Sequence, residues 1–180
     1  MGDVFIERMV KKKFETKDIL LSILIVVAGF LLVGVSIVIL LPMTGQIIIP
    51  FFVIIGVCFG GFKLISMLNL EYEYSLTNGF ISVDKIINRS SRKRLTSFEC
   101  KDIEEIGEYT KNQSRLQNRS VQTKLFASEF ADGRNSWYVI VNAKKTGRTL
   151  LVFDPDERLL DGIKRFLPAQ LRFEVFGRNR

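Results

Sequence analysis

The sequence predicts a membrane α-hairpin joined to a mostly-β cytoplasmic domain of about seven antiparallel strands, closed by one C-terminal amphipathic helix. Two observations predict this division. Residues 19–68 contain one charged side chain, Lys63, whereas the rest of the 180-residue chain contains 25 Lys or Arg and 19 Asp or Glu. After residue 68, apolar and polar residues alternate with the period of half-buried strands. We therefore divide the chain into residues 1–18, 19–68 and 69–180.

The first segment, residues 1–18, carries Val4, Phe5, Met9 and Val10 among charged residues. Apolar side chains mixed with lysines are typical of helices that lie in the membrane interface. The sequence therefore predicts a cytoplasmic N-terminal segment that forms a short interfacial helix.

Two long apolar runs predict the membrane hairpin. Residues 19–41 would form a helix of about 35 Å, enough to cross a hydrocarbon core of about 30 Å. Residues 47–68 form the second span, with Pro50 in the first turn, where the missing N–H costs little. Lys63 lies within two turns of the end, so its side chain can reach the interface as an anchor. The short linker, residues 42–46, makes the spans antiparallel.

Basic residues flank the hairpin on one side only. Arg8, Lys11, Lys12, Lys13 and Lys17 precede the first span, the linker contains none, and the residues after the second span are rich in both types. By the positive-inside rule, both termini are cytoplasmic. The sequence thus predicts a multi-pass protein of the cell membrane.

Gly56 and Gly60 form a GxxxG pattern in the second span. Such glycines let helices approach closely. Packing within the hairpin is the favoured interpretation, because a partner helix is already tethered alongside. Dimerisation into a homo-oligomer is the alternative.

A β-hairpin follows the membrane segment directly. In "LEYEYSLT" every second residue is apolar, and Asn78-Gly79 is a strong signal for a type I′ turn, which needs two residues that accept positive φ. The two-residue turn pairs Leu76 with Ile81 and Tyr74 with Val83. The apolar faces of both strands then coincide.

The remaining elements complete the predicted domain. Further strands are predicted at 94–100, 105–110, 121–128, 137–143 and 148–154, with a loop at 111–120. Asp154 is the expected N-cap of the helix, with Pro155 at its first position and Glu157 as the capping-box partner. Pro168 ends the helix, and residues 171–177 predict a last strand or docking tail. A helix over the open end of a small β-sandwich or barrel is the arrangement of pleckstrin-homology (PH)-like domains.

Three stretches carry a family resemblance: "VFIERMVKKK", "EYEYSLTNGFISVDKIINRSSRKRLTSFECKDIEEIGEY" and "LLVFDPDERLL". With the short hairpin they resemble an uncharacterised Firmicutes family of small two-span membrane proteins. More distantly, the architecture is similar to that of bacterial membrane proteins with PH-like domains. Neither resemblance implies catalytic residues, and architecture alone carries no function.

The residue types argue against an enzyme. There is no histidine, so the commonest general base and metal ligand are missing, and no nucleotide-binding or hydrolase motif is present. Cys58 and Cys100 form no CxxC pair, which predicts two reduced thiols that are buried as small apolar residues. We therefore expect no catalysis, no cofactor and no metal.

Two basic clusters are the candidate sites for surface contact. They comprise Arg89, Arg92, Lys93 and Arg94 in the first, and Lys111, Arg115, Arg119 and Lys124 in the second. No acidic residue interrupts either cluster. The first lies at the end of the hairpin that is expected to face the bilayer, where each cation can gain about 1 kcal/mol from anionic lipid. Ordinary solvated charge is the alternative interpretation. Nucleic acid is not an expected partner, because the loops lack interleaved aromatic residues.

These observations favour a non-enzymatic membrane protein whose β-domain contacts a protein partner or anionic lipid head groups at the inner surface. The very short linker after Leu68 supports this hypothesis, because it fixes the orientation of the β-domain and its distance from the membrane. A domain that recruits partners flexibly requires a longer linker. The alternative is a small accessory subunit of a membrane complex, such as a transporter, recognised through its spans at Gly56 and Gly60.

Overall fold

The structure, a computed structural model, describes residues 3–177 and divides into two compact units. One unit comprises the chain through Lys13 together with the chain from Leu70 onward; the other is Phe14–Asn69. The β-rich unit is therefore discontinuous in sequence, and the apolar helices are inserted between its first and second strands.

The inserted unit contains two helices, α1 (Thr16–Thr44) and α2 (Ile48–Ser66), both long and apolar enough to cross a membrane. Helix α1 runs through most of the predicted linker, and the turn begins at Gly45, whose φ of 65° ends the helix. The segment Ser36–Leu40 is a π-helix, in which the Leu41 N–H donates to the Ser36 carbonyl. This wider turn directly precedes Pro42, which has no N–H for the regular helical bond.

The β-rich unit contains two four-stranded sheets. Sheet A has the order β1-β2-β3-β4, and sheet B has the order β5-β7-β8-β6. The strands are β1 (Phe5–Lys11), β2 (Leu70–Thr77), β3 (Phe80–Ile87), β4 (Ser91–Glu99), β5 (Ile103–Glu108), β6 (Thr123–Ala127), β7 (Trp137–Ala143) and β8 (Gly147–Phe153). The main core consists of inward-facing residues from both sheets, including Tyr74, Leu76, Val139 and Leu151.

The predicted β2–β3 hairpin is confirmed in register. Leu76 lies opposite Ile81, and Tyr74 lies opposite Val83. Asn78 and Gly79 have φ values of 49° and 86°, as a type I′ turn requires. The agreement follows from a purely local pattern, since turn and strands are contiguous.

The predicted interfacial helix in residues 1–18 is wrong where the structure describes it, because Phe5–Lys11 form strand β1. Ile6 lies opposite Leu76 and Val10 opposite Tyr72, so alternate side chains point into the core. The residues described therefore contain eight strands rather than seven. One pair, β6 with β8, is parallel, which also departs from the antiparallel expectation.

The predicted loop at 111–120 is largely helical, as part of α3 (Tyr109–Gln117). Tyr109 and Leu116 pack in a second apolar cluster with Tyr138, Ile140, Leu150 and Val152. These last four residues alternate with the inward-facing residues of β7 and β8. Sheet B is therefore covered on both faces, which explains why β7 and β8 are continuous apolar runs.

The C-terminal part contains two helices, α4 (Glu157–Phe166) and α5 (Ala169–Phe176). The N-cap of α4 is Asp156, whose carboxylate accepts the Leu159 N–H at 2.9 Å, so the predicted Asp154 cap is wrong. Asp154 instead accepts the Glu129 N–H at 2.5 Å. The predicted last strand is helix α5.

Candidate surface-contact site

The first basic cluster surrounds the tight turn between β3 and β4. Asn88 and Arg89 hold this turn in the left-handed region, with φ values of 49° and 54°. The turn lies at the end of sheet A where β2 begins and β1 ends, because Leu70 pairs with Ile87. Both chain connections to the apolar helices leave from this end.

Three arginines of this cluster pair with buried carboxylates on neighbouring strands. Arg94 donates to both oxygens of Asp84, at 2.6 and 3.1 Å. The hydrogen bond to Asp84 raises the pKa of Arg94, against a smaller opposing effect of burial. Because the Asp84 side chain is only 5% exposed, this pair is part of the sheet's structure rather than a free cationic surface.

The same pairing extends along β2. Arg92 contacts Glu73 at 2.5 Å, and Arg89 contacts Glu71 at 3.2 Å. Both acids are buried on the outer face of sheet A. The cluster is free of acids in sequence, but it is not free of them in the fold. These arginines therefore form ion pairs within sheet A, and their contact with a membrane surface or a partner stays a prediction.

Lys93 differs from its neighbours because it has no carboxylate within ion-pairing distance among residues 3–177. It lies directly opposite Lys85 on β3, which also lacks such a partner. Like charges in directly opposed positions repel each other. The end of sheet A thus retains the positive charge of Lys85 and Lys93, and we name these two lysines, together with Lys11 and the Glu71-paired Arg89, the cationic rim.

Lys85 and Lys11 were not among the predicted site residues. The signal that identifies Lys85 is its register against Lys93, which requires the β3–β4 pairing and its bulge between Val83 and Asp84. Lys11 belongs to β1, which was expected to be helical. Neither position could be recognised as part of the rim without the strand pairing.

The second basic cluster ties α3 to sheet B. Arg115 bonds to Glu105 and donates to Tyr138 Oη at 2.8 Å, and Arg119 bonds to Glu105 at 3.1 Å. Burial acts to raise the pKa of Glu105, but hydrogen bonds from Tyr138, Arg115 and Arg119 outweigh it and lower the pKa. The geometry assigns these arginines to holding α3 in place.

The two lysines of this cluster also have partners within the fold. Lys111 lies 2.7 Å from Glu108, and Lys124 Nζ donates to the Gln117 carbonyl at 3.4 Å. Three cations of the second cluster are therefore paired with the two glutamates Glu105 and Glu108 of strand β5.

In the helical unit, the predicted packing glycines do not pack within the hairpin. A Cβ placed at Gly56 or Gly60 meets nothing within 4 Å, whereas one at Gly29 would lie 3.0 Å from Val57 Cγ1 and one at Gly61 would lie 3.9 Å from Ile25 Cγ2. Gly29 and Gly61 thus mark the contact between α1 and α2. Gly56 and Gly60 leave an open strip on α2. Lys63 is exposed in the last turn of α2.

The two cysteines have different environments. Both are free thiols, and Cys100 is buried as expected, whereas Cys58 is exposed on α2. Burial raises the pKa of Cys100 to about 12. Within residues 3–177, no group of three or more His, Cys, Asp or Glu side chains is placed to hold a metal ion.

A comparison with protein-family models decides the family. The model described as bacterial PH-like domain (DUF6106) matches residues 2–173. The chain belongs to this family. The PH-like arrangement expected from the strand order and the closing helix is thereby confirmed at the level of the family. No curated protein and no solved structure matches the chain.

Proposed function

We propose that this chain is a non-enzymatic membrane protein of the cell membrane whose PH-like domain lies against the cytoplasmic surface and contacts anionic lipid head groups. Two findings support the proposal: the family match and the two helices long and apolar enough to cross a membrane. The positive-inside pattern, with Lys11, Lys12 and Lys13 before α1 and no basic residue in residues 42–46, supports cytoplasmic termini.

The observation that carries the proposal is the facing pair Lys85 and Lys93 at the end of sheet A from which the chain runs into the apolar helices. Only two residues separate Lys13 from Thr16, and three separate Ser66 from Leu70. Such short connections tether this end of the sheet to the spans. Each Lys or Arg close to an anionic leaflet gains about 1 kcal/mol, and an anionic head group also relieves the Lys85–Lys93 repulsion.

Hydrogen–deuterium exchange on the full-length protein in nanodiscs tests this contact. Phosphatidylglycerol in the disc is expected to slow amide exchange in residues 87–91 relative to phosphatidylcholine alone. The double variant Lys85→Gln/Lys93→Gln is expected to lose this protection. The control Lys144→Gln/Lys145→Gln, which removes the same charge from the β7–β8 turn, is expected to keep it. Equal exchange in both lipids, or wild-type protection in the Lys85/Lys93 variant, contradicts the proposal.

A second candidate function is that of an accessory subunit in a membrane complex, recognised through α2. The open strip at Gly56 and Gly60 favours it, because glycines that do not serve the hairpin can admit another helix. Crosslinking in native membranes is expected to give an adduct that the Gly56→Leu/Gly60→Leu variant loses. Gly34→Leu on α1, where a Cβ also meets nothing within 4 Å, is the control. An adduct unaffected by both changes contradicts this function.

A further inference from the structure

The arginines of the β-rich unit fall into two groups by their partners. Within residues 3–177, eight arginines lie within 4.0 Å of a carboxylate oxygen, namely Arg8, Arg89, Arg92, Arg94, Arg115, Arg119, Arg134 and Arg148. Arg158, Arg165 and Arg172 have no such partner there, and all three lie on α4 or α5. These three arginines of the C-terminal helices are therefore not paired with a carboxylate within residues 3–177.

Two of these arginines line a cleft between α4 and α5. It consists of two adjoining hollows of about 330 and 250 Å³, and both include Lys164 and Arg172 in their walls. Arg165 and Asp161 complete the second hollow, and Asp161 forms no ion pair with any described residue. We name Lys164, Arg165, Arg172 and Phe173 the cationic cleft.

An exposed aromatic side chain borders these cations. Phe173 lines the first hollow and is 74% exposed. Its neighbour Phe176 is half-buried and stacks on Trp137, with ring centroids 5.8 Å apart and planes 10° from parallel. Lys164 Nζ lies 5.1 Å from the centroid of the Phe176 ring. The stack thus positions Lys164, while Phe173 stays free for an apolar contact.

The cationic cleft is remote from the cationic rim within the β-rich unit. Helix α4 packs against the Gly79 turn, where a Cβ at Gly79 would lie 2.9 Å from Phe166 Cδ1. Gly79 follows β2, whose first residue, Leu70, marks the other end of sheet A. Eight residues of strand span roughly 25 Å. The cleft therefore lies at the opposite end of sheet A from the connections to the apolar helices.

We propose that the cationic cleft binds an acidic segment of a partner protein, with carboxylates on Lys164, Arg165 and Arg172 and an apolar side chain against Phe173. Charge complementarity requires an anionic occupant, and the exposed ring favours a peptide over a purely polar anion. The remote position favours a protein over the head groups assigned to the cationic rim. This proposal does not depend on lipid contact at the rim.

Fluorescence anisotropy on the full-length protein in phosphatidylcholine nanodiscs tests the proposal. The probes are three labelled synthetic peptides, composed of Glu and Leu, of Glu and Ser, and of Lys and Leu. The Glu/Leu peptide is expected to bind, the Glu/Ser peptide to bind more weakly and the Lys/Leu peptide not to bind. Because neutral discs contain no anionic lipid, a failure of rim contact would leave this result unchanged.

Matched variants locate the binding. Arg172→Gln is expected to weaken binding of the Glu/Leu peptide by roughly tenfold, the effect of losing one charge-assisted hydrogen bond. Arg158→Gln removes an equally unpaired arginine outside the cleft and is expected to leave binding unchanged. Phe173→Ser should weaken binding of the Glu/Leu peptide and leave binding of the Glu/Ser peptide unchanged. The proposal is overturned if the Arg172→Gln variant binds the Glu/Leu peptide as tightly as the wild type does, or if the wild type binds the Lys/Leu peptide as tightly as the Glu/Leu peptide. It is also overturned if phosphatidylglycerol, and none of the peptides, protects the α5 amides from hydrogen–deuterium exchange.

Discussion

At the scale of single residues, ion pairs between neighbouring strands decide which cations are free. Arg94 follows three positively charged or polar residues in sequence, yet its guanidinium bonds to Asp84 across the β3–β4 pairing. A buried carboxylate that loses its cation leaves an uncompensated charge in the fold. Such a pair therefore has a measurable role in stability, whereas an unpaired surface arginine has almost none.

We expect Arg94→Gln to lower the free energy of unfolding by about 2 kcal/mol, because Asp84 would retain only Arg92, 3.9 Å away. Arg158→Gln, the control, is expected to change it by less than about 0.5 kcal/mol. Urea titration in detergent, followed by the fluorescence of Trp137, the only tryptophan, measures both. Equal stability of the two variants contradicts the structural role of the Arg94–Asp84 pair.

The protonation of Glu105 makes the free energy of unfolding depend on pH. Its pKa in the fold is below the ordinary value of 4.5, so as the pH falls the unfolded chain binds the proton first. Its stabilisation is thus complete above pH 4.5 and is lost as the pH falls through the folded-state pKa. We expect Glu105→Gln to be less stable than wild type at neutral pH by on the order of 1 kcal/mol, with the difference shrinking in acid. A difference independent of pH in urea titrations would count against this assignment.

At the scale of elements, the separation along the chain between an element and the strand it packs on decided whether the sequence could predict that element. The β2–β3 hairpin was predicted in register because its turn and both apolar faces are contiguous. Strand β1 was mistaken for a helix because its partner, β2, lies beyond both apolar helices. Helix α3 has few apolar residues, and only Tyr109 and Leu116 are buried, so its polar sequence resembles a loop.

The same reasoning applies to the candidate site. The sequence predicted the positions of the basic clusters, but their pairing with Glu71, Glu73 and Asp84 depends on the strand register. The cationic cleft was not predicted at all, because α5 was expected to be a strand or tail. Unpaired charge is a property of the assembled fold, and a single stretch of sequence does not reveal it.

Close packing of α4 on β1 and β2 leads to a prediction for Gly162. A Cβ there would lie 2.7 Å from both Ile6 Cδ1 and Leu76 Cδ2. Alanine would favour the helix by about 1 kcal/mol, but overpacking costs about 1–3 kcal/mol. We expect Gly162→Ala to destabilise the protein by about 1 kcal/mol in the same urea titration. Ile6→Val, which removes the Cδ1 atom, should recover part of this loss in the double variant; a stabilised Gly162→Ala protein contradicts the observed packing.

At the scale of the whole molecule, the helical unit is an insertion in the β-rich unit. The chain leaves the β-rich unit after Lys13 and returns at Leu70, and the Lys12 N–H donates to the Leu70 carbonyl at 2.9 Å. Both connections are thus joined at one end of sheet A. If both helices span a membrane, the chain before α1 and the chain after α2 lie on the same side of it.

Cysteine labelling in intact cells, in a Cys58→Ser background, tests the central claim that this chain is a two-span membrane protein with a cytoplasmic PH-like domain. Single cysteines would replace Gln46, in the turn between α1 and α2, and Lys144, in the β7–β8 turn. A membrane-impermeant maleimide is expected to label the residue 46 cysteine in intact cells and the residue 144 cysteine only after permeabilisation. Labelling of residue 144 in intact cells, with residue 46 protected, would contradict the account.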